Sequence, residues 1–112
     1  MSYLPGAGYP DLPELRAWLR VPATTLPDEQ LAVIAGAEQT QQLVYLSWDE
    51  LLTDAPDDVV AAFYRRCARH AAAKAIPLGI LGADAEYGAV RLSRWESEVE
   101  RLEAPYSAPV VA

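Results

Sequence analysis

The stretch PDDVVAAFYRRCARHAAAKAIPLGILGADAEYG, residues 56 to 88, decides the fold. At 3.6 residues per turn, Val60, Phe63, Tyr64, Cys67, Ala68, Ala71, Ala72 and Ala75 fall on one broad face. Arg65, Arg66, Arg69 and His70 gather on the other, so the stretch opens as a two-faced helix. Asp57 and Asp58 at its start, with His70 and Lys74 toward its end, match the helix macrodipole. Pro77 has no amide hydrogen to donate and disfavours helix at Ile76, so the helix is expected to stop there. A glycine-rich loop, Pro77 to Gly88, then follows.

Upstream, Asp54 or Ala55 is placed to cap this helix, and residues 47 to 54 hold one turn that drops Trp48, Leu51 and Leu52 into the core. Before that, Pro27, Asp28 and Glu29 suit the first turn of a helix. It should run to about Leu46 and bury Leu31, Ile34, Ala35, Val44 and Tyr45. Its polar middle, Glu38-Gln39-Thr40-Gln41-Gln42, is expected to face solvent, or else another chain. Asp11 and Glu14 have capping-box spacing ahead of Leu15, Trp18 and Leu19, which places a first helix over residues 12 to 20, ended by Val21-Pro22. Downstream, Ser93 and Glu96 repeat that spacing. Leu92, Trp95, Val99 and Leu102 step by three, four and three, a narrow apolar stripe on a last helix that closes at Ala104-Pro105. Glu98 and Glu103 fall on its polar remainder.

The expected fold is all-α: about four helices in a small bundle, a glycine-rich loop before the last helix, and extended arms at both ends. With 112 residues the chain has room for one domain. Residues 1 to 10 form an N-terminal arm, 11 to 103 the helical core and 104 to 112 a C-terminal tail. Proline and glycine at the ends predict arms that order only on docking to another chain.

A net charge of −7 argues against nucleic acid as the main ligand, since that binding rests on Lys and Arg meeting phosphates. No apolar run approaches a membrane span, and the first ten residues lack the features of a secretory signal, so a cytoplasmic origin is expected. Cys67, the single cysteine, excludes an internal disulfide and reads as a small buried hydrophobe. His70 has cationic neighbours and no carboxylate within a helical turn to orient it as a base. The serines show no nucleophile context. Asp84 and Glu86 make a poor metal site, and Pro77 to Gly82 lacks a phosphate loop's lysine. Catalytic, cofactor and metal sites are therefore expected to be none, and the chain is not expected to be an enzyme.

Charge is segregated along the chain. No basic residue lies between Arg20 and Arg65, and no acidic one between Asp58 and Asp84. If the basic face carrying Arg65, Arg66, Arg69 and His70 met the acidic region of a second copy, the contact would be heterologous and its closed repetition a ring.

Several segments resemble the head-to-tail adaptor (connector, or head-completion) proteins of long-tailed bacteriophages, particularly those infecting actinobacteria. They are Arg65-Arg66-Cys67-Ala68-Arg69, Pro77-Leu78-Gly79-Ile80-Leu81-Gly82, Asp84-Ala85-Glu86-Tyr87-Gly88, Glu98 to Leu102, and Pro105-Tyr106 with Val110-Val111. Leu15-Arg16-Ala17-Trp18-Leu19 and Asp28-Glu29-Gln30-Leu31 are similar to that family's opening. Pro27 departs from the pattern, standing where a serine-like cap is expected.

The resemblance implies a non-catalytic virion protein of the neck region, assembled in the host cytoplasm as a dodecameric homo-oligomeric ring. Its partners would be the portal protein and a downstream neck or tail protein, with packaged DNA passing through without sequence-specific binding and no membrane involved. Loops and termini would reach those partners: Gly79, Gly82, Asp84, Glu86 and Tyr87 in the loop, and Tyr106, Val110 and Val111 in the tail. The alternatives are a cytoplasmic helical protein-interaction module and a small DNA-binding regulator.

Overall fold

A computed structural model describes residues 3 to 46, 55 to 82 and 84 to 106. Among them run four α-helices, α1 (Leu12–Leu19), α2 (Asp28–Leu46), α3 (Asp57–Ala73) and α4 (Ala85–Glu103), with single 3-10 turns at Gly79–Leu81 and Ala104–Tyr106. The all-α bundle is as expected from the sequence. α3 lies at its centre and packs against each of the other three helices. α3 and α4 are antiparallel, since Arg65 reaches Glu98 while Ala72 lines the same groove as Ala89.

Local sequence explains most helix ends. Asp11 caps α1 by accepting the Glu14 amide, and Arg20, at φ 54°, ends it in the left-handed region. α3 has Pro56 at its N-cap position with no side-chain cap. It stops at Ala73, three residues before the expected Ile76, because Ala75 turns left-handed at φ 59°. The expected turn at residues 47 to 54, with Asp54 as a possible cap, lies outside the described residues.

The glycine-rich loop is shorter than its composition suggested. Asp84 Oδ1 accepts the amides of Glu86 and Tyr87, so the last helix starts at Ala85 and leaves Ser93 in mid-helix. A side chain at N-cap that satisfies two free amides outcompetes the later capping-box pattern. Gly79 is required by proximity: a Cβ there would stand 2.5 Å from the Arg20 carbonyl oxygen, which its own amide meets at 3.0 Å.

The core is one apolar cluster. Leu15 and Leu19 of α1, Leu31, Ile34 and Ala35 of α2, Phe63, Cys67, Ala68 and Ala71 of α3, and Trp95 of α4 meet there, with Leu26 and Leu78 from the connections. Burial pushes the Cys67 thiol well above its ordinary pKa, which suits a packing role.

The N-terminal arm departs from expectation. Residues 3 to 10 fold back onto the bundle, with Tyr3 stacked on Phe63 at 5.6 Å and Tyr9 edge-on to it at 5.0 Å. The turn uses three consecutive positive φ values, at Gly6, Ala7 and Gly8. At its tip the Ala7 carbonyl accepts the Ala55 amide. Two aromatic rings laid on the core, with their hydroxyls hydrogen-bonded, outweigh the flexibility of a Pro/Gly-rich segment. In the expected tail, residues 104 to 106 make a 3-10 turn rather than extended chain. Residues 107 to 112, Val110 and Val111 among them, lie outside the described residues.

Candidate functional site

The four basic residues singled out on α3 do not form a free cationic face. Arg65 Nε donates to Glu98 at 2.7 Å. Arg66 makes a two-pronged pair with Glu103, Nε to Oε2 and Nη2 to Oε1, each at 2.6 Å. His70 Nδ1 lies 2.8 Å from Glu38 Oε2, and Arg66 Nη1 is 3.9 Å from the same carboxylate. The carboxylate that orients His70 comes from α2, thirty-two residues away, and not from its own helix. Arg69 is half-buried, and its Nε has no hydrogen-bond partner among the described residues.

The partners of these cations were expected in solvent or, for Glu38, against another chain. α2 buries Leu31, Ile34, Ala35, Glu38, Gln39, Gln42 and Leu46, one stripe at helical spacing whose middle is polar. Val44 and Tyr45 lie off that stripe and are exposed, 74% and 50%, against the expectation that they were buried. α4 buries Trp95 and Val99 as its stripe predicts, and adds Glu103 at 1% exposure.

At the centre of this polar layer Gln42 is fully buried and satisfied. Its Oε1 accepts the Tyr9 hydroxyl at 2.7 Å, while Nε2 donates to the Val59 carbonyl at 2.9 Å and to Glu103 at 2.8 Å. One turn earlier, Gln39 grips the N-terminal segment with both ends of its amide. Oε1 accepts the Leu4 amide at 3.0 Å and Nε2 donates to the Leu4 carbonyl at 2.8 Å. Tyr3 in turn donates to the Pro10 carbonyl at 2.6 Å.

The electrostatics are self-consistent. Desolvation opposes the charge on Arg66, but the hydrogen bond and charge of Glu103 outweigh it, so its pKa is raised further. Burial, reinforced by the Glu103 carboxylate and partly offset by Arg66, pushes Tyr9 up to about 12. Tyr3 moves the same way, chiefly by burial. Both hydroxyls stay neutral donors. Such a layer holds structure.

The other residues named in the sequence belong to the connection, to α4 and to the last turn. Gly79 and Gly82 are exposed in the connection, Asp84 is a helix cap, Glu86 is exposed, and Tyr106 is half-buried in the last 3-10 turn. Tyr87 is 50% exposed on α4, with Val90 beside it at 59%. Arg91 stands over the Tyr87 ring at 5.0 Å and the Trp95 ring at 5.8 Å, and donates to the Ile80 carbonyl.

Among the described residues, no three His, Cys, Asp or Glu side chains gather to hold a metal ion, and no helix is long and apolar enough to cross a membrane. Compared with protein-family models, curated proteins and solved structures, the chain matches none of them.

Glu38, Gln39, Gln42 and Glu103 are the residues that sequence reasoning missed. Their signal was positional: 38, 39 and 42 continue the 31-34-35 stripe, and 103 continues 92-95-99.

Proposed function

We propose that this chain is a non-enzymatic structural subunit, a head-to-tail adaptor that assembles as a ring between a phage portal and the neck or tail. The reading rests on the resemblance of residues 65 to 69, 77 to 82 and 84 to 88 to that family. The observation that carries it is the outer face of α4, where Tyr87 and Val90 lie exposed beside Arg91 and Arg94. A net charge of −7 suits a channel wall along which DNA slides without sticking. Occupation of Arg65 and Arg66 by Glu98 and Glu103 leaves those arginines little to offer phosphates, which weighs against the DNA-binding alternative.

Co-expression with the cognate portal protein tests the reading. Rings capped onto portal particles in negative stain, insensitive to added duplex DNA, are the expected outcome. A monomer that ignores the portal refutes it; a salt-sensitive gel shift would favour the DNA binder.

A further inference from the structure

α4 carries charge of opposite sign on opposite flanks of its outer surface. Along one flank Tyr87, Val90, Arg91, Arg94, Glu98 and Arg101 recur at helical spacing of three and four. Its only acid, Glu98, is taken by Arg65. Arg94 and Arg101 are exposed, with no partner among the described residues. Along the other flank, Glu96 and Glu100 are exposed and likewise unpartnered. They face each other across one turn, and no basic residue lies three or four positions from either, so their repulsion is uncompensated within the helix.

Size is sorted along the helix as charge is. The basic flank begins with the large exposed Tyr87 and Val90. Next to the acidic flank, the same end of α4 borders an open groove of about 370 Å³ between α3 and α4, lined by Ala72, Ile76, Leu81, Ala85 and Ala89 among others.

We infer that α4 is the subunit-to-subunit contact, and that its partner is α4 and the adjoining groove of a second copy. Rotational symmetry about an axis near the helix direction sets equal heights of neighbouring α4 helices side by side. Tyr87 and Val90 of one copy then meet the groove beside Ala85 and Ala89 of the next. Arg94 falls within about 3 Å of the height of Glu96, and Arg101 within about 1.5 Å of that of Glu100, at 1.5 Å of rise per residue. The contact is heterologous, and repeated by that pure rotation it closes a ring. This places the interface on Arg94 and Arg101 rather than on the arginines of α3, and it rests on the adaptor reading.

Two charge-reversed variants test it: Arg94→Glu with Arg101→Glu, acidic on both flanks, and Glu96→Arg with Glu100→Arg, basic on both. All four positions are exposed, so melting temperatures should hold; a variant that melts early is replaced by the single change Arg94→Glu or Glu96→Arg. By light scattering, each alone should need at least tenfold more protein to assemble. An equimolar mixture should recover rings of wild-type mass with the two variants alternating, because every contact is then complementary. Assembly of either variant alone at wild-type concentration, or a mixture that stays apart or stops at dimers, overturns the inference and leaves the adaptor reading standing. A wild-type protein that never assembles, with portal or without, overturns both.

Discussion

The two halves of α2 do the same work with opposite chemistry. Leu31, Ile34 and Ala35 enter an apolar core, whereas Glu38, Gln39 and Gln42, continuing the same stripe, enter a layer of hydrogen bonds and ion pairs. Burial in the first half is driven by removal of apolar surface from water. In the second it persists because each buried group has a partner, and a missing partner leaves the full desolvation cost behind. A helix face therefore reports where the interior is, and its chemistry reports what the interior is made of.

The largest expected effect probes whether the polar half is as structural as the apolar one. Glu103→Ala leaves the half-buried Arg66 guanidinium with Glu38, at 3.9 Å, as its nearest carboxylate and removes an acceptor from Gln42, and should cost about 3 kcal/mol of unfolding free energy. Leu31→Ala, in the apolar half, should cost about 2–5 kcal/mol. Urea unfolding of both variants makes the comparison, and a Glu103→Ala variant that loses under about 1 kcal/mol would break it.

The next effect follows from Tyr9. Its ordinary pKa is 10.0 and the fold raises it to about 12, so across that window the unfolded chain gives up a proton that the folded chain keeps. The unfolded state then binds fewer protons, and stability falls as pH rises, with Tyr9 contributing about 3 kcal/mol over the two units and Tyr3, shifted the same way, adding to it. Below pH 10 this contribution is fully present. Melting followed from pH 9 to 12, beside tyrosinate absorbance, checks the sign; a flat stability profile with every tyrosine titrating near 10 would contradict it.

The smallest effect sharpens the edge of the stripe. Val44 is 74% exposed, so Val44→Ser should change stability by no more than about 0.5 kcal/mol in the free subunit. A loss of about 2 kcal/mol would mean that the buried stripe includes residue 44 after all.

Helix number, the starts of α1 and α2 and the apolar stripe of α4 were legible in the sequence, because capping residues and three-four spacing act locally; on α3 the reading found Phe63, Cys67, Ala68 and Ala71 but missed Val59 and Ala62, and it included Ala75, which is exposed beyond the helix end. The layer around Gln42 was not. Glu38, Gln42 and Glu103 look like solvent residues until α3 supplies Arg66 and His70 and the N-terminal segment supplies Tyr9. The side-chain partners lie between 32 and 61 residues apart, where the charge pattern shows only segregation, which a second copy could equally resolve. The structure resolves much of it within one chain, through Glu38, Glu98 and Glu103, and separately leaves Arg94, Arg101, Glu96 and Glu100 exposed on α4. Asp84 shows the converse: a cap read as part of a loop because Gly82 and Gly88 flank it.

The most direct test is amide hydrogen exchange of Leu4 and Tyr9 in the free, unassembled subunit. Leu4 donates to the buried Gln39 side chain and Tyr9 to the Gly6 carbonyl, beneath rings laid on Phe63. Both amides should exchange at least about a hundredfold slower than in an unstructured chain. Exchange of both at the unstructured rate would mean that the N-terminal segment does not rest on the polar half of α2, and the interior described above would lose its keystone.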